Sequence, residues 1–183
     1  MNAPAEKRLT APEFLAWCET KGEGRFELYC GEIFAMAPER VEHGRAKAAI
    51  WRALADALAH TGAPCEAFVD SLGVAVDAQT IYQPDVLVDC GDKIPTGSLL
   101  APAPAIIVEV ISPSSRKLDQ SLKLTDYFRV PSLVHYLIVD LERRYVLPYR
   151  RQGEEPITLR ILRDGSIRLD PPGLDLATSD IFA

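Results

Sequence analysis

The segment 105–111 reads AIIVEVI, and this run of apolar residues around one glutamate strongly limits how the chain can fold. Apolar residues occupy both faces of the strand that it predicts, as is typical of a central strand covered above and below. Glu109 interrupts this run. An ionised carboxylate taken out of water costs on the order of several kcal/mol unless a cation or hydrogen-bond donors meet it. Another part of the chain must therefore supply a partner for Glu109.

Length and composition predict one ordinary globular domain. The chain has 183 residues, of which 48% are hydrophobic and 25% are charged, so a single domain spanning 1–183 is expected. No apolar run approaches the roughly 20 residues of a membrane span. The N-terminal sequence MNAPAEKRLT lacks the apolar stretch of a signal peptide. We therefore expect a cytoplasmic protein with no membrane partner.

The charge of the chain is acidic overall but uneven. The net charge is −6 and the pI is about 5.1, which argues against indiscriminate coating of nucleic acid. The segment 116–151 nevertheless holds eight basic and four acidic side chains, a net charge of +4. This excess indicates either a local basic face or ordinary solvated charge.

The four cysteines are far apart in the sequence and share no C-x-x-C spacing (Cys18, Cys30, Cys65 and Cys90). This spacing predicts reduced and mostly buried thiols. Neither a disulfide framework nor a zinc site is expected.

The local patterns alternate between helices and strands. A capping box at Thr10–Glu13 opens a helix to about residue 21, and Cys30-Gly31 predicts a hairpin turn. Helical periodicity covers 41–60, and the Ser-Pro-Ser-Ser run after 111 can cap a second long helix, 115–130. Strands are predicted near 65–70, 72–76, 85–89, 105–111 and 135–140, followed by a meander of 144–151, 157–162 and 166–169 and a short turn at 180–182. This order predicts an α/β (α+β) fold with a mixed central sheet.

Two carboxylates are placed where strands meet. Asp85 follows Pro84 at the start of an apolar strand, and Glu109 lies near the end of a later one. Pro-Asp alone is a common turn dipeptide, and Glu109 alone could pair with any cation. Together they are suited to converge on a divalent ion, because Mg²⁺ prefers a few carboxylates with waters and phosphate oxygens.

At these residues the chain resembles the PD-(D/E)xK nuclease superfamily, and within it the Uma-two family of restriction endonuclease-like proteins. The resemblance covers nearly the whole chain. It is carried by FELYCGEIFAMAP, by His43 soon after, by QPDVLV, and by PAIIVEVISPSSRKLDQSLKLTDYFRVPSLVHYLIVD. The most specific part is VEVISPSS followed by an aspartate, a lysine and a tyrosine.

The resemblance implies a restriction-endonuclease-like core, a mixed sheet flanked by helices, with Mg²⁺ or Mn²⁺ at one edge. It implies Asp85 and Glu109 as metal ligands and catalytic residues, and Glu27 as an additional catalytic glutamate. Ile111 departs from the superfamily pattern, which has lysine there, on the same face as Glu109.

The following helix offers a substitute for that lysine. Asp119, Lys123 and Tyr127 are spaced i, i+4, i+8 and share one stripe of a helix. The Uma-two pattern is similar, with the catalytic lysine moved off the strand, which implies Lys123. From spacing alone, an ordinary Asp–Lys pair on the helix surface is the alternative.

Weaker candidates for substrate binding are His43, Gln83, Asp119 and Tyr127. His43 needs no function if it is an ordinary polar residue in the first turn of a helix, and this explanation is favoured over a role in the site. The serines after 111 have no histidine and acid arranged with them, so a serine nucleophile is not indicated. No phosphate-binding glycine motif is present, which predicts no nucleotide cofactor.

The predicted function is a Mg²⁺-dependent endonuclease that hydrolyses phosphodiester bonds in DNA, and the superfamily implies 5′-phosphate products. The first alternative is a catalytically degenerate nuclease fold that only binds nucleic acid or protein. A structural or assembly protein is a third possibility. The choice between DNA and RNA stays open, and a homodimer would suit cleavage of both strands.

Overall fold

The computed structural model describes residues 8–21, 24–111, 122–153 and 155–182, and for 155–158 it describes the backbone alone. A six-stranded sheet has the order β10-β9-β8-β7-β6-β3, and a four-stranded sheet has the order β2-β1-β5-β4. The strands are β1 Phe26–Tyr29, β2 Glu32–Ala35, β3 Cys65–Val69, β4 Val74–Asp77, β5 Thr80–Tyr82, β6 Val86–Cys90, β7 Pro104–Ile111, β8 His135–Asp140, β9 Tyr145–Gln152, β10 Glu155–Leu159, β11 Ser166–Leu169 and β12 Leu174–Ala177. The helices are α1 Ala11–Lys21, α2 Val41–Thr61, α3 Leu124–Tyr127 and α4 Thr178–Ile181. The predicted α+β class with a mixed central sheet is confirmed.

β7 is the central strand of the larger sheet, as its two-sided apolar pattern predicts. All eight of its residues are buried. It pairs antiparallel with β6 and parallel with β8, so the sheet is mixed. Glu109 consequently lies inside the protein, two residues before the end of the strand.

Helix α2 covers one face of this sheet. Its predicted apolar stripe is buried against the strands (Ala46, Ile50, Leu54 and Leu58). The helix ends at Gly62, whose φ of 67° lies in the left-handed region that favours glycine. The opposite face carries Ile107 and Ile111, which pack against Tyr127 and Tyr136.

The smaller sheet begins with the predicted hairpin. Cys30 and Gly31 form its turn with φ values of 49° and 80°, the left-handed pair that a two-residue hairpin turn requires. β5 pairs with β1 as well as with β4. β5 has only three residues, too few for its alternation to be recognised in the sequence.

Helix α1 begins with the predicted capping box. The Thr10 amide N–H and its hydroxyl both donate to Oε2 of Glu13, each at 2.9 Å. This confirms the assignment made from the sequence.

The prediction that all four cysteines are reduced and mostly buried is wrong. Cys65 and Cys90 form a disulfide with a Cα–Cα distance of 4.1 Å. They are direct partners in the antiparallel ladder between β3 and β6, and this register brings together residues 25 apart in sequence. Cys18 and Cys30 are free thiols, and Cys30 is exposed.

The predicted C-terminal meander is also wrong in part. β9 and β10 pair, but β11 pairs with β12 in a separate two-stranded sheet. The strand β12 was missed because its four residues lie among turn signals. Of the predicted helix 115–130, the structure describes an α-helix at Leu124–Tyr127, and residues 112–121 lie outside the described part.

Among the described residues, no helix has the length and apolar character needed to cross a membrane.

Gly31 tests the hairpin that carries Glu27. A Cβ at Gly31 would lie 2.5 Å from Cβ of Arg8, and its φ is unfavourable for other residues. We expect Gly31→Ala to destabilise the protein by more than about 1 kcal/mol. In Gly44→Ala, a matched control on α2 where a Cβ meets nothing within 4 Å, stability should rise by about 0.5–1 kcal/mol. Urea denaturation of both variants measures the difference, and equal effects would contradict this view of the turn.

Candidate active site

The carboxylate of Glu109 is met by a lysine and a tyrosine from beyond the strand. The Tyr127 hydroxyl donates to Oε1 of Glu109 at 2.8 Å, and Nζ of Lys123 lies 3.2 Å from the same oxygen. Glu109 and Lys123 are 5% and 4% exposed, so water screens their attraction only weakly. These two donors offset the free-energy cost of removing the carboxylate from water.

The Lys123 ammonium also reaches the smaller sheet. Its Nζ lies 2.9 Å from Oε1 of Glu27, and the same oxygen accepts the Gln83 backbone N–H at 2.9 Å. Nζ is also 5.2 Å from the centroid of the Tyr82 ring. Lys123 therefore connects three parts of the structure, which are β1, β7 and the segment that follows β5.

Ile111 occupies the strand position where the superfamily pattern has lysine. Its side chain is buried in the apolar cluster that contains Tyr127. The expected contact between Lys123 and Glu109 is present in the structure. Its catalytic significance stays a prediction.

Asp85 and Glu109 both lie at one end of the β6–β7 ladder. Val86 with Val108 is the last regular pair there, and Asp85 and Glu109 are the next residues beyond it on the two chain segments. The Val110 N–H donates to Oδ2 of Asp85 at 2.6 Å. Burial raises the pKa of Asp85 above its ordinary value, although the Val110 N–H and the Lys47 charge act in the opposite direction.

A second buried lysine, which the sequence analysis did not identify, contacts Asp85 from α2. Nζ of Lys47 lies 3.4 Å from Oδ1 of Asp85 and 2.7 Å from Oδ2 of Asp70, and it also bonds to Glu39. Lys47 is only 1% exposed. The signal in the sequence was its position on the apolar stripe of α2, one turn before Ile50, where a charged residue needs partners.

The partners of Lys47 decide its protonation. Burial alone would lower its pKa, but hydrogen bonds to Asp70 and Glu39 outweigh burial, and the pKa is raised above the ordinary value. For Glu39, burial would raise the pKa, but the bond from Lys47 and the charge of Arg25 outweigh it, and the pKa is lowered. Lys47 and Glu39 therefore form an ionised pair at neutral pH.

Arg25 completes this group from the start of β1. One of its terminal nitrogens lies 2.7 Å from Oδ1 of Asp70 and the other 2.9 Å from Oε1 of Glu39. Its Nε donates to Oε1 of Gln83 at 3.5 Å. Gln83 thus connects the two lysine-centred groups, through its side chain to Arg25 and through its backbone to Glu27.

Three of these carboxylates are close enough to share a cation. Ligand oxygens of Glu39, Asp70 and Asp85 lie within 4.8 Å of one another, and this is the one such group of three found in the described part of the chain. Glu109 is not a member of it. The ammonium of Lys47 contacts all three carboxylates.

The remaining candidates are distributed differently. Tyr127 and Gln83 lie within the site through the contacts above, whereas His43 lies in the first turn of α2, one turn before Lys47. Asp119 lies outside the described residues.

In the basic segment 116–151, Arg151 donates to the carbonyl oxygens of Pro131 and Val130, so it stabilises the turn before β8.

The fold matches that of a solved structure along nearly the whole chain. It resembles the crystal structure of a protein from Anabaena variabilis described as a "putative nuclease belonging to DUF820", with a TM-score of 0.73. The two chains are 18% identical, and the match covers 95% of this chain and 97% of that one.

The chain belongs to the Uma2 family, which is described as "Putative restriction endonuclease" and whose pattern matches residues 11–179. Two uncharacterized proteins of Synechocystis are similar along most of their length. One, slr1290, is 27% identical, and the match covers 99% of this chain and 94% of the relative. The other, sll1609, is 30% identical, and the match covers 84% of this chain and 87% of the relative. The resemblance to the Uma-two family is thereby confirmed.

Removing Lys47 should destabilise the protein strongly. In Lys47→Met, three carboxylates lose a shared buried cation, and we expect a loss of about 3 kcal/mol in the free energy of unfolding. Lys93→Met, in an exposed loop, serves as the control and should change stability by less than about 0.5 kcal/mol. Urea denaturation at pH 7 measures both.

The penalty of Lys47→Met should shrink in acid. The folded-state pKa of Glu39 is lowered, so its stabilising effect is present above its unfolded value of 4.5 and is lost as the pH falls through the folded value. Protonation of Glu39 then removes one of the three carboxylate charges that Lys47 contacts. A penalty that stays constant from pH 7 down through the folded-state pKa of Glu39 would show that Lys47 contributes by packing alone.

Proposed function

We propose that this chain is a divalent metal-dependent endonuclease that hydrolyses phosphodiester bonds in DNA. The observation that carries this proposal is the buried Lys123 ammonium between Glu109 and Glu27, with Asp85 bonded to the residue beside Glu109. Membership of a family described as restriction endonucleases supports the reaction class. These contacts support Glu27, Asp85, Glu109 and Lys123 as the catalytic residues.

Lys123 is suited to stabilise charge that develops during hydrolysis. Its ammonium is compact and buried, and its long stem lets it approach from the segment after β7. A positive charge fixed beside the scissile phosphate lowers the barrier because negative charge accumulates there in the transition state. The two glutamates hold this charge in place before the substrate arrives.

Tyr127 is suited to orient Glu109. Burial and the Glu109 charge raise its pKa well above the ordinary value, so the hydroxyl stays protonated and donates. The N–H of Val110 orients Asp85 in the same way. Both carboxylates therefore have fixed directions at neutral pH.

The donor set fits a hard divalent cation, since it consists of carboxylate oxygens. We assign Asp85 and Glu109 as the residues that would hold Mg²⁺ or Mn²⁺. Such a cation, when bound, polarises a phosphate and lowers the pKa of a coordinated water. Asp70 and Glu39 would then serve as partners of Lys47 rather than as ligands.

A second candidate function is a binding module without catalysis. It is favoured by the neutralisation of the acidic side chains by the protein's own cations, Lys47 on one side and Lys123 on the other. In that case the folded protein would bind nucleic acid or protein and leave the phosphodiester bond intact.

A plasmid cleavage assay with Mg²⁺ or Mn²⁺ tests the proposal. Wild-type protein should nick or linearise DNA only with the cation present, and Lys123→Ala should lower the rate by at least about 100-fold, because the fixed charge is lost. Lys93→Ala, a lysine in an exposed loop, should cleave at the wild-type rate.

Two outcomes decide between the candidates. Full activity of Lys123→Ala would remove this residue from the mechanism. Absence of cleavage by the folded wild type on duplex and single-stranded DNA, together with retained binding, would favour the binding module. Adding Ile111→Lys to Lys123→Ala restores the superfamily placement, and partial recovery would support the migrated lysine.

A further inference from the structure

The face of the hairpin that carries Glu27 also carries two aromatic side chains, of which Phe34 is exposed and Tyr29 is half-buried. Glu27 pairs with Phe34 in the β1–β2 ladder, so the two side chains lie next to each other on one face. Tyr29, two residues along β1, shares this face. The opposite face is occupied, because Leu28 and Ile33 pack against α1.

Tyr82 flanks Glu27 from the other side. Leu28 pairs with Ile81, which puts Glu27 opposite Tyr82 on the neighbouring strand. Glu27 therefore lies between an aromatic residue on β2 and another on β5. Its carboxylate accepts from Lys123 within this frame.

The rings form a continuous wall from the surface to the candidate active site, and we call Phe34, Tyr29, Tyr82 and Tyr127 the aromatic wall. Successive ring centroids along it are 6.4, 6.3 and 5.4 Å apart. Phe34, at the outer end, is 48% exposed, and Tyr127, at the inner end, is fully buried and donates to Glu109. A planar group stacked on Phe34 would lie beside Glu27 and its lysine.

We propose that the outer end of the aromatic wall, Phe34 with Tyr29, binds an unpaired nucleobase of single-stranded DNA. This inference rests on the proposed function, which brings a DNA strand to Lys123. Every base has a π-face that stacks on aromatic side chains without sequence preference. A base within a duplex is already stacked on its neighbours, so the wall favours single-stranded or locally opened substrate.

The charge of the protein makes base stacking, rather than phosphate contacts, the main source of affinity in this proposal. The chain has 20 basic and 26 acidic residues, so backbone electrostatics contribute little general affinity for nucleic acid. Stacking supplies affinity that does not depend on net positive charge. A strand held by its bases would still bring its phosphates towards Lys123, whose ammonium lies over the Tyr82 ring of the wall.

The test measures binding rather than cleavage. Fluorescence anisotropy in EDTA, at fixed salt, gives the Kd of wild type, Phe34→Ala and Phe34→Trp for a labelled single strand, the same strand with abasic sites, and a duplex. Leu159→Ala is the matched control, because Leu159 is 49% exposed and lies on the outer strand β10. Thermal melting checks that each variant is folded.

We expect Phe34→Ala to weaken single-strand binding about tenfold, with Phe34→Trp and Leu159→Ala near wild type. The abasic strand should bind wild type and Phe34→Ala equally, because it has no base to stack. An equal loss on intact and abasic strands, no loss at all, or no measurable single-strand binding by wild type would overturn the inference.

The outcomes separate this inference from the proposed function. A wild type that binds the single strand through Phe34 and never cleaves DNA would refute only the endonuclease. A wild type that cleaves DNA, with Phe34→Ala binding as tightly as the parent, would refute only the nucleobase site.

Discussion

The burial of the Glu109 carboxylate is the constraint on which the candidate site depends. A strand enclosed on both faces gives an ionised group no water, so the protein must supply donors. Lys123 and Tyr127 do so, and Lys123 in turn needs a second carboxylate, which Glu27 provides. One buried charge thus explains why segments from three distant parts of the sequence meet at this end of β7.

A different lysine contacts each of the two carboxylates. Lys123 contacts Glu109 and also Glu27 of the smaller sheet, and Lys47 contacts Asp85 from α2. Asp85 and Glu109 both lie just beyond the last regular pair of the β6–β7 ladder. Their hydrogen bonds and ion pairs therefore fix both carboxylates before any substrate or metal binds, which is the preorganisation that catalysis of a charged reaction requires.

Local patterns in the sequence predicted the central strand, the long helix α2, the capping box and the hairpin, because each depends on residues close in sequence. The Lys123–Glu109 contact followed from a family pattern. The Lys47 group was missed because Glu39, Lys47, Asp70 and Asp85 come from separate segments. The Cys65–Cys90 bond was missed for the same reason, since the register of two strands creates it.

We propose that Asp85 and Glu109 hold the divalent cation, and titration calorimetry of Mn²⁺ with the apo protein tests this proposal most directly. Glu109→Gln should abolish binding or weaken it by at least about tenfold, whereas Asp70→Asn should bind nearly as wild type, because Asp70 belongs to Lys47. The reverse pattern, with Asp70→Asn losing Mn²⁺ and Glu109→Gln keeping it, would contradict the claim and assign the ion to the Glu39–Asp70–Asp85 group.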